Sequence, residues 1–413
     1  MSIISKKHIF EDFSIKHRGM IFCAILVFIA AAFGQSLGLM IAETTSYNRS
    51  TTCMDGVNYY LPAAESFWQF GKPIQKNGEF CVHQPPLYPL ILSPWIAGAQ
   101  ASDISVKHVV QIINVICASL AAVGVFFVGR KFASIEMALL AALSYAAYPF
   151  LIWLCRDAYS EPLFTMLLVY GILLVFNAKE NTSIKKMTAG MMLLGLATLT
   201  RGFGLLVPFM LFCGLYLLSH RNKQQLVMWG WGLAVYLMVL APWCFIASRV
   251  SGRLVLVTTS FLPSHVHGLI NLPGNTISNL AIPFFNSNPM TFGSVISFHI
   301  KALTSETTGY LLFWGQKLIN SWYATASGKG QAAVMAINIP LLLLAFYGTG
   351  MVMKSERLRP EAMSLLFVSG YFWSMSALVW SVARYMVPAM WIVILFAIVG
   401  VHSGLAMLKT AIR

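Results

Sequence analysis

The chain has 413 residues, of which 58% are hydrophobic and only 10% are charged, and its formal net charge is +14. Soluble globular domains average about 25% charged residues, so this composition excludes a soluble domain. Apolar runs recur that are long enough to cross a hydrocarbon core about 30 Å thick. We therefore predict an all-α polytopic membrane protein. The positive charge indicates membrane topology and anionic lipid rather than nucleic acid.

Ten apolar segments are predicted as transmembrane helices. The first is interpreted as an uncleaved signal anchor, because it is full length and lacks a small-residue cleavage site. Basic residues such as Lys185 and Lys354 gather in the connections on the side of the two termini, which the positive-inside rule predicts to be cytoplasmic. The predicted spans are 19–42, 107–128, 136–154, 161–178, 187–200, 203–219, 225–248, 331–353, 361–380 and 385–408.

Two further apolar stretches, 87–100 and 310–326, carry Tyr and Trp residues and are predicted as juxtamembrane helices on the outer face. Lys301 and Lys317 are interpreted as surface anchors. We expect the chain to form a single transmembrane catalytic domain over 1–413, without an appended soluble domain.

The outer face is predicted to have two long loops, 43–106 and 249–330. The second contains a Gly/Pro/Asn/Ser-rich stretch from Ser264 to Asn288, which we expect to lack regular structure. This stretch and its neighbours supply aromatic side chains to cover a ligand, so we predict a lid that orders when donor binds. The residues expected to break regular structure or to cover the ligand are Phe261, Pro263, Pro273, Gly274, Pro283, Phe284, Phe285 and Pro289.

Charged residues at the outer ends of the predicted spans are few. Ionisable groups near membrane depth are costly and usually face a cavity or a partner. Arginines bind phosphate oxygens and a carboxylate accepts a proton, so this combination suits a site that handles a phosphate. The residues concerned are Asp55, Arg156, Asp157, Glu161, Arg201 and Arg384.

Histidines and cysteines give weaker signals. His83, His265 and His267 all lie on the predicted outer side and are candidate ligands of a divalent metal ion, with ordinary loop histidines as the alternative. Cys53 and Cys81 share the first outer loop, and an oxidising compartment would allow a disulfide between them.

Short motifs in a fixed order resemble the GT-C class of polyprenyl-phosphate-dependent glycosyltransferases, in the branch of the protein O-mannosyltransferases and lipid A aminoarabinose transferases. The chain departs from that pattern at three positions: Cys244-Phe245 stand where relatives often have Arg-Asn, and His83 stands where some relatives have an acid. The matching pieces are Asp55 with Tyr59 and Ala63-Ala64, Gly71, Pro85 to Pro89 including Tyr88, Arg156 with Ser160 to Phe164, Gly195 to Ala197, Thr200-Arg201, Ala241 to Trp243, Gly274-Asn275, and Arg384-Tyr385 with Pro388.

The resemblance implies transfer of a sugar, with inversion, from a polyprenyl-phosphate carrier to an acceptor hydroxyl on a lipid, glycan or protein. It implies Asp55 as general base, Arg201 and Arg384 as stabilisers of the leaving phosphate, and Asp157 or Glu161 as the residue that orients the acceptor or holds the arginines. Tyr59, Tyr88, Arg156 and Tyr385 are the further expected substrate contacts. The expected location is a bacterial inner membrane, with the site facing the periplasm.

Competing interpretations remain open at this point. Asp55 is also suited to cap a helix beginning near Gly56. Arg201 and Arg384 are also suited to anchor span ends at the headgroups, and Arg156 and Asp157 to neutralise each other. A transporter for lipid or lipid-linked sugar, and a polysaccharide polymerase or ligase, are the alternative functions; a transporter predicts paired broken helices or charges at the membrane midplane.

Overall fold

The computed structural model describes residues 3–44, 53–217, 223–271, 275–325 and 327–412. Within these ranges the regular structure is helical apart from one isolated antiparallel bridge between Ile74 and Phe80. The helices are α1 Ile3–Thr44, α2 Leu61–Phe70, α3 Leu87–Ala101, α4 Val106–Phe132, α5 Ile135–Ala146, α6 Pro149–Cys155, α7 Glu161–Asn181, α8 Ile184–Thr200, α9 Val207–Phe212, α10 Lys223–Ser251, α11 Phe261–Ile270, α12 Thr276–Ser287, α13 Phe292–Ser305, α14 Thr307–Asn320, α15 Gln331–Met353, α16 Arg359–Leu378 and α17 Val387–Ile412.

The predicted all-α polytopic architecture is confirmed. Each of the ten predicted spans falls on helical structure where the chain is described. By length and composition alone, six helical segments among the described residues are sufficient to cross a membrane, and the pair α5 and α6, bent by 51°, makes up to seven. The six are Gly19–Ile41, Val106–Phe132, Glu161–Asn181, Lys223–Ser251, Gln331–Met353 and Ala383–Leu405.

Helix α17 forms the centre of the bundle. Its first eleven residues are buried, including Trp391 at 0% exposed, and it packs against α15, α5, α7 and α16. Helix α7 lies between α4 and α8, and α8 in turn packs on α10. Because α7 and α8 are joined by a turn of a few residues, they run antiparallel, so the start of α7 and the end of α8 lie at the same end of the bundle.

Small residues allow α15 and α17 to approach closely. A Cβ atom at Gly348 would lie 1.9 Å from the carbonyl oxygen of Phe396, and one at Gly400 would lie 2.4 Å from that of Leu344. Close backbone contact through glycine is the usual way in which helices associate in lipid, where there is no hydrophobic driving force between them. These two glycines therefore fix the position of α17, which begins directly after the 3-10 turn Ala383–Met386.

The described part of the predicted second outer loop is mostly helical, and this corrects the expectation from sequence. Helices α11 and α12 occupy most of the Gly/Pro/Asn/Ser-rich stretch, and α13 and α14 follow them. Pro263 lies in the first turn of α11, where a proline removes no helical hydrogen bond, and Pro283 is accommodated inside α12. Phe284 and Phe285 pack into a separate small core between these helices. Pro273 and Gly274 lie outside the described residues.

Replacing Gly348 by Ala should destabilise the protein, because the new methyl group would overlap the backbone of α17. We expect a loss of about 1–3 kcal/mol, seen as a lower melting temperature of the purified protein in detergent. Gly350→Ala is the matched control on the same helix, since no atom lies within 4 Å of its added Cβ. Equal melting temperatures for the two variants would contradict the close contact.

Candidate active site

Four charged side chains meet at the end of the bundle where α7 begins. Arg384 donates from Nε to Glu161 Oε1 and from Nη2 to Asp55 Oδ2, the second over 2.9 Å. Arg201 Nη1 also lies 3.1 Å from Glu161 Oε1. We call Asp55, Glu161, Arg201 and Arg384 the four-charge cluster. Two acids and two bases give it no net formal charge, which lowers the cost of burying it.

Helix ends position these side chains. Glu161 is the first residue of α7 and is followed by Pro162, a residue pair suited to a helix N-terminus. Arg201 caps the end of α8 in an extended conformation, with φ −148° and ψ 128°. Arg384 lies in the 3-10 turn Ala383–Met386 that leads into α17. Three separate helix ends therefore converge on one carboxylate.

Asp55 is the most accessible member of the cluster, with 31% of its side chain exposed, against 0% for Glu161. It precedes a π-helical segment, Gly56–Tyr60, but its side chain makes no capping hydrogen bond. Burial on its own raises the pKa of the Asp55 carboxyl, but the charge and hydrogen bond of Arg384, with Arg201 and His83, outweigh it and hold the pKa below its ordinary value. Asp55 is therefore a carboxylate at neutral pH.

Aromatic rings frame the two guanidinium groups. Arg384 lies 4.4 Å from the ring centre of Tyr159, and Arg201 lies 5.6 Å from that of Tyr385 and 5.7 Å from that of Phe203. Cation–π contacts of this kind hold a guanidinium while leaving its N–H groups directed at other partners. Arg201 and Arg384 are only 11% and 17% exposed, so the cluster holds them in the protein rather than at lipid headgroups.

A chain of hydroxyl groups supports Arg201. Its Nη1 donates to Ser160 Oγ over 3.2 Å, Ser160 lies 3.0 Å from the hydroxyl of Tyr60, and Tyr60 donates to Gln84 Oε1 over 3.2 Å. Sequence reasoning did not single out Tyr60 or Gln84. Their neighbours Tyr59 and Pro85 belong to the motifs quoted above, and that adjacency was the available signal.

Asp157 lies beside the cluster and binds backbone. Its carboxylate accepts hydrogen bonds from the amides of Cys53, over 2.6 Å, and Ala158, over 2.7 Å. It thereby ties the segment two residues before Asp55 to the α6–α7 connection. Arg156 lies 4.7 Å from the ring centre of Trp153. This geometry suits Asp157 to positioning Asp55, while direct participation in catalysis stays a prediction.

The predicted substrate-binding tyrosines occupy different environments. Tyr88 is fully buried and donates to Asn114 Oδ1 over 3.1 Å, so it lies in the wall behind the site. Tyr59 is half-buried and stacks on His83 with ring centres 4.5 Å apart. Burial lowers the pKa of His83, although Asp55 opposes the effect, so its ring is neutral near pH 7. Tyr385 packs on Phe203 at the cluster, 5.2 Å between ring centres.

The predicted metal site at His83, His265 and His267 is not formed. His265 uses its ring nitrogens on the carbonyl of Leu378 and on His299, and His267 binds Asn271. Over the described ranges, no three His, Cys, Asp or Glu side chains are grouped to hold an ion. The carboxylates of the cluster face guanidinium groups instead, so we derive no step through a metal.

The proposed disulfide is also not formed in the structure. Cys53 and Cys81 are buried free thiols, and burial raises the pKa of both groups. Their low ionisation makes them poor nucleophiles at neutral pH.

Comparison with known proteins supports the resemblance seen in the sequence. A family sequence model described as dolichyl-phosphate-mannose-protein mannosyltransferase matches residues 83–246, which include Glu161 and Arg201. No curated protein matches the chain.

Solved structures show the same fold. The oligosaccharyltransferase AglB of Archaeoglobus fulgidus, in complex with an inhibitory peptide and a dolichol-phosphate, is 14% identical, with a TM-score of 0.57 over 96% of this chain and 51% of that one. ArnT of Cupriavidus metallidurans, bound to undecaprenyl phosphate, is 15% identical, with a TM-score of 0.53 over 91% of this chain and 59% of that one. This chain thus spans about half the length of the AglB chain. The expected GT-C fold is confirmed.

Replacing Glu161 by Gln should destabilise the protein strongly, because two buried guanidinium groups lose their shared carboxylate. Removing one partner of a buried ion pair costs about 3–5 kcal/mol. Thermal unfolding in detergent should show the loss. Glu65→Gln is the control, because Glu65 lies at the surface, where it accepts a hydrogen bond from Gln100. A small and equal effect of both substitutions would mean that Glu161 does not hold the arginines.

Proposed function

We propose that this chain is a membrane glycosyltransferase that transfers a sugar from a polyprenyl-phosphate carrier to an acceptor hydroxyl, with inversion. The observation that carries the proposal is the contact between Arg384 and Asp55, at the rim of the four-charge cluster. It places a phosphate-binding group and a partly exposed carboxylate side by side. The similar AglB and ArnT structures, which hold dolichol-phosphate and undecaprenyl phosphate, support a donor of this class.

The two guanidinium groups are suited to bind the donor phosphate. A guanidinium has five N–H donors in a fixed fork that matches phosphate oxygens, and Arg384 uses two of its nitrogen atoms on carboxylates. As the bond between the anomeric carbon and the phosphate oxygen breaks, the electron pair stays on the phosphate. Arg201 and Arg384 would stabilise the charge that develops there.

Asp55 is suited to be the general base. The acceptor oxygen forms its bond to the anomeric carbon while its proton passes to the Asp55 carboxylate, so the carrier leaves as polyprenyl phosphate. The attack comes from the face opposite the phosphate, which inverts the configuration. Because its pKa is lowered, Asp55 is ionised at neutral pH, and the carboxylate form is the one that can accept a proton.

The location of the charges favours surface chemistry over transport. All four members of the cluster lie at helix ends or in connections, at one end of the bundle. A transporter of the kind considered above would show paired broken spans, whereas the described residues contain one bent pair. Basic residues gather in the connections on the side of the two termini, so we infer that the site faces the opposite side of the membrane, which is the periplasm in a bacterial inner membrane.

Substitution of Asp55 by Asn should abolish most of the transfer. A general base contributes roughly 10²–10⁴-fold, and Asn keeps the size of the side chain without its basicity. The assay supplies purified protein with a panel of polyprenyl-phosphate sugars and a membrane lipid or glycan extract, and measures released polyprenyl phosphate and labelled acceptor. Asp103→Asn, in a surface turn, is the control. Equal transfer by Asp55→Asn and wild type would mean that a residue other than Asp55 is the general base.

Removal of Arg384 should shift the acidic side of the pH profile. The lowered pKa of Asp55 means that its base form, and the stability of the ion pair, are present above the ordinary carboxyl pKa and are lost as pH falls through the folded value. Without Arg384, burial dominates and the pKa rises.

The residual kcat/KM of Arg384→Gln should therefore begin to fall at a higher pH than that of the wild type, measured between about pH 4 and pH 8. Arg249→Gln is the control, an exposed arginine near the end of α10. An unchanged acidic limb would contradict the electrostatic coupling of Arg384 and Asp55.

A further inference from the structure

Lys317 is fully buried, although its sequence context suggested a surface anchor. Its ammonium group donates to the carbonyl of Gly268 over 2.9 Å and to that of Val379 over 3.0 Å. It also lies 5.4 Å and 5.5 Å from the ring centres of Phe313 and Trp314. Among the described residues, the partners of this buried lysine are carbonyl groups and aromatic rings. Burial of a lysine without a carboxylate partner is costly, so its position requires an explanation.

The explanation lies in two helix C-termini that meet at this group. Gly268 is in the last turn of α11, and Val379 directly follows α16. The last carbonyls of a helix have no partner within it, and they carry the negative end of the helix dipole. Lys317, on α14, satisfies one such carbonyl from each helix and thereby joins three helices. Burial lowers the pKa of Lys317 to about 7, and even the neutral amine keeps two N–H donors for the two carbonyls.

Gly268 makes this arrangement possible. A Cβ atom there would lie 1.6 Å from the carbonyl oxygen of Val379 and 2.8 Å from Lys317 Nζ. Only a residue without a side chain lets α11 approach the end of α16 so closely. The backbones are therefore in direct contact at the point that Lys317 bridges.

A histidine chain reinforces the same helix end. The Nδ1 atom of His265 binds the carbonyl of Leu378, its Nε2 lies 2.9 Å from Nε2 of His299, and His299 Nδ1 lies 3.0 Å from the hydroxyl of Tyr310. Donation from Tyr310 through His299 and His265 to Leu378 assigns one neutral tautomer to each ring. Burial lowers the pKa of His265, and that of His299 to about 4, in agreement with neutral rings.

Residues 379–383, which follow the helix end held by Lys317 and His265, lead directly to the four-charge cluster. We call the contacts of Lys317 and His265 with this helix end the clamp. Four residues separate Val379 from Arg384, and the amide of Ala383 donates to the carbonyl of Ala324, just beyond α14, over 2.8 Å. The segment is thus held at one end by Lys317 and His265 and near the other end by Ala324. The backbone that carries Arg384 has little freedom to move.

We propose that Lys317 is a positioning residue: by joining the C-termini of α11 and α16 it holds residues 379–383, and so fixes the Arg384 guanidinium against Asp55. The expected effect on sugar transfer rests on the proposed function, but the expected effect on the mobility of residues 379–383 does not. Without the bonds of Lys317 to Gly268 and Val379, Arg384 should lose its fixed contact with Asp55. The pKa of the Asp55 carboxyl should then rise, because the guanidinium charge is no longer held beside it.

The test compares Lys317→Met with Lys301→Met, which removes an exposed lysine of the neighbouring helix α13. His265→Phe is a milder second variant, which keeps an aromatic ring but removes the bond to Leu378, in case Lys317→Met does not fold. Hydrogen–deuterium exchange of a peptide covering 379–386 is measured in lipid nanodiscs. Faster exchange in Lys317→Met or His265→Phe, but not in Lys301→Met, is the expected result; unchanged exchange in both clamp variants would overturn the clamp.

The pH dependence of transfer tests positioning directly, because it would not change if Lys317 had only a structural role. If Lys317 fixes Arg384, the acidic limb of kcat/KM should shift to higher pH in Lys317→Met, as in Arg384→Gln, and the double variant should shift no further. Faster exchange with an unmoved limb would show that the segment does not position Arg384, and would overturn the proposal. If the wild type transfers no sugar, the proposed function fails, while the exchange experiment still decides whether the clamp exists.

Discussion

The Arg384 guanidinium, shared between Glu161 and Asp55, is the interaction on which the rest of the site depends. One nitrogen atom binds a fully buried carboxylate and another binds a partly exposed one. Burial of ionised groups is tolerated only when partners compensate them, so each member of the four-charge cluster requires the others. The result is a rigid set of charges with the partly exposed Asp55 carboxylate at the accessible rim.

The helices can be understood as the means of holding that set together. Glu161 and Arg201 are brought together by the antiparallel pair α7 and α8, and Arg384 by the 3-10 turn that leads into α17. Close contact at Gly348 and Gly400 fixes α17 against α15. Lys317, on α14, ties α11 to the segment before Arg384. Rigid supports of this kind give charge stabilisation that needs little reorganisation during a reaction.

Much of the fold and part of the site could be predicted from sequence. Apolar run length predicts the spans, and rare charges at their ends mark the acids and arginines of the cluster. The sequence could not distinguish Asp157 from Glu161, four residues apart in one short connection, because the start of α7 decides which of them faces the arginines. The prolines of the stretch from Ser264 to Asn288 led us to predict irregular structure where α11 and α12 form. The aromatic and apolar neighbours of Lys317 in the sequence suggested a position at the membrane interface, whereas its side chain is buried. The formation of α11 and α12 and the burial of Lys317 both depend on contacts between residues that are distant in the chain.

The central claim is that the guanidinium groups of the cluster bind the donor phosphate beside Asp55. The most direct measurement is an electron cryo-microscopy structure of the protein with polyprenyl phosphate in lipid nanodiscs. We predict phosphate density within hydrogen-bond distance of Arg384 or Arg201, with the Asp55 carboxylate next to it and open to solvent. Phosphate density bound elsewhere, with the contacts of Arg384 to Asp55 and Glu161 unchanged, would contradict it.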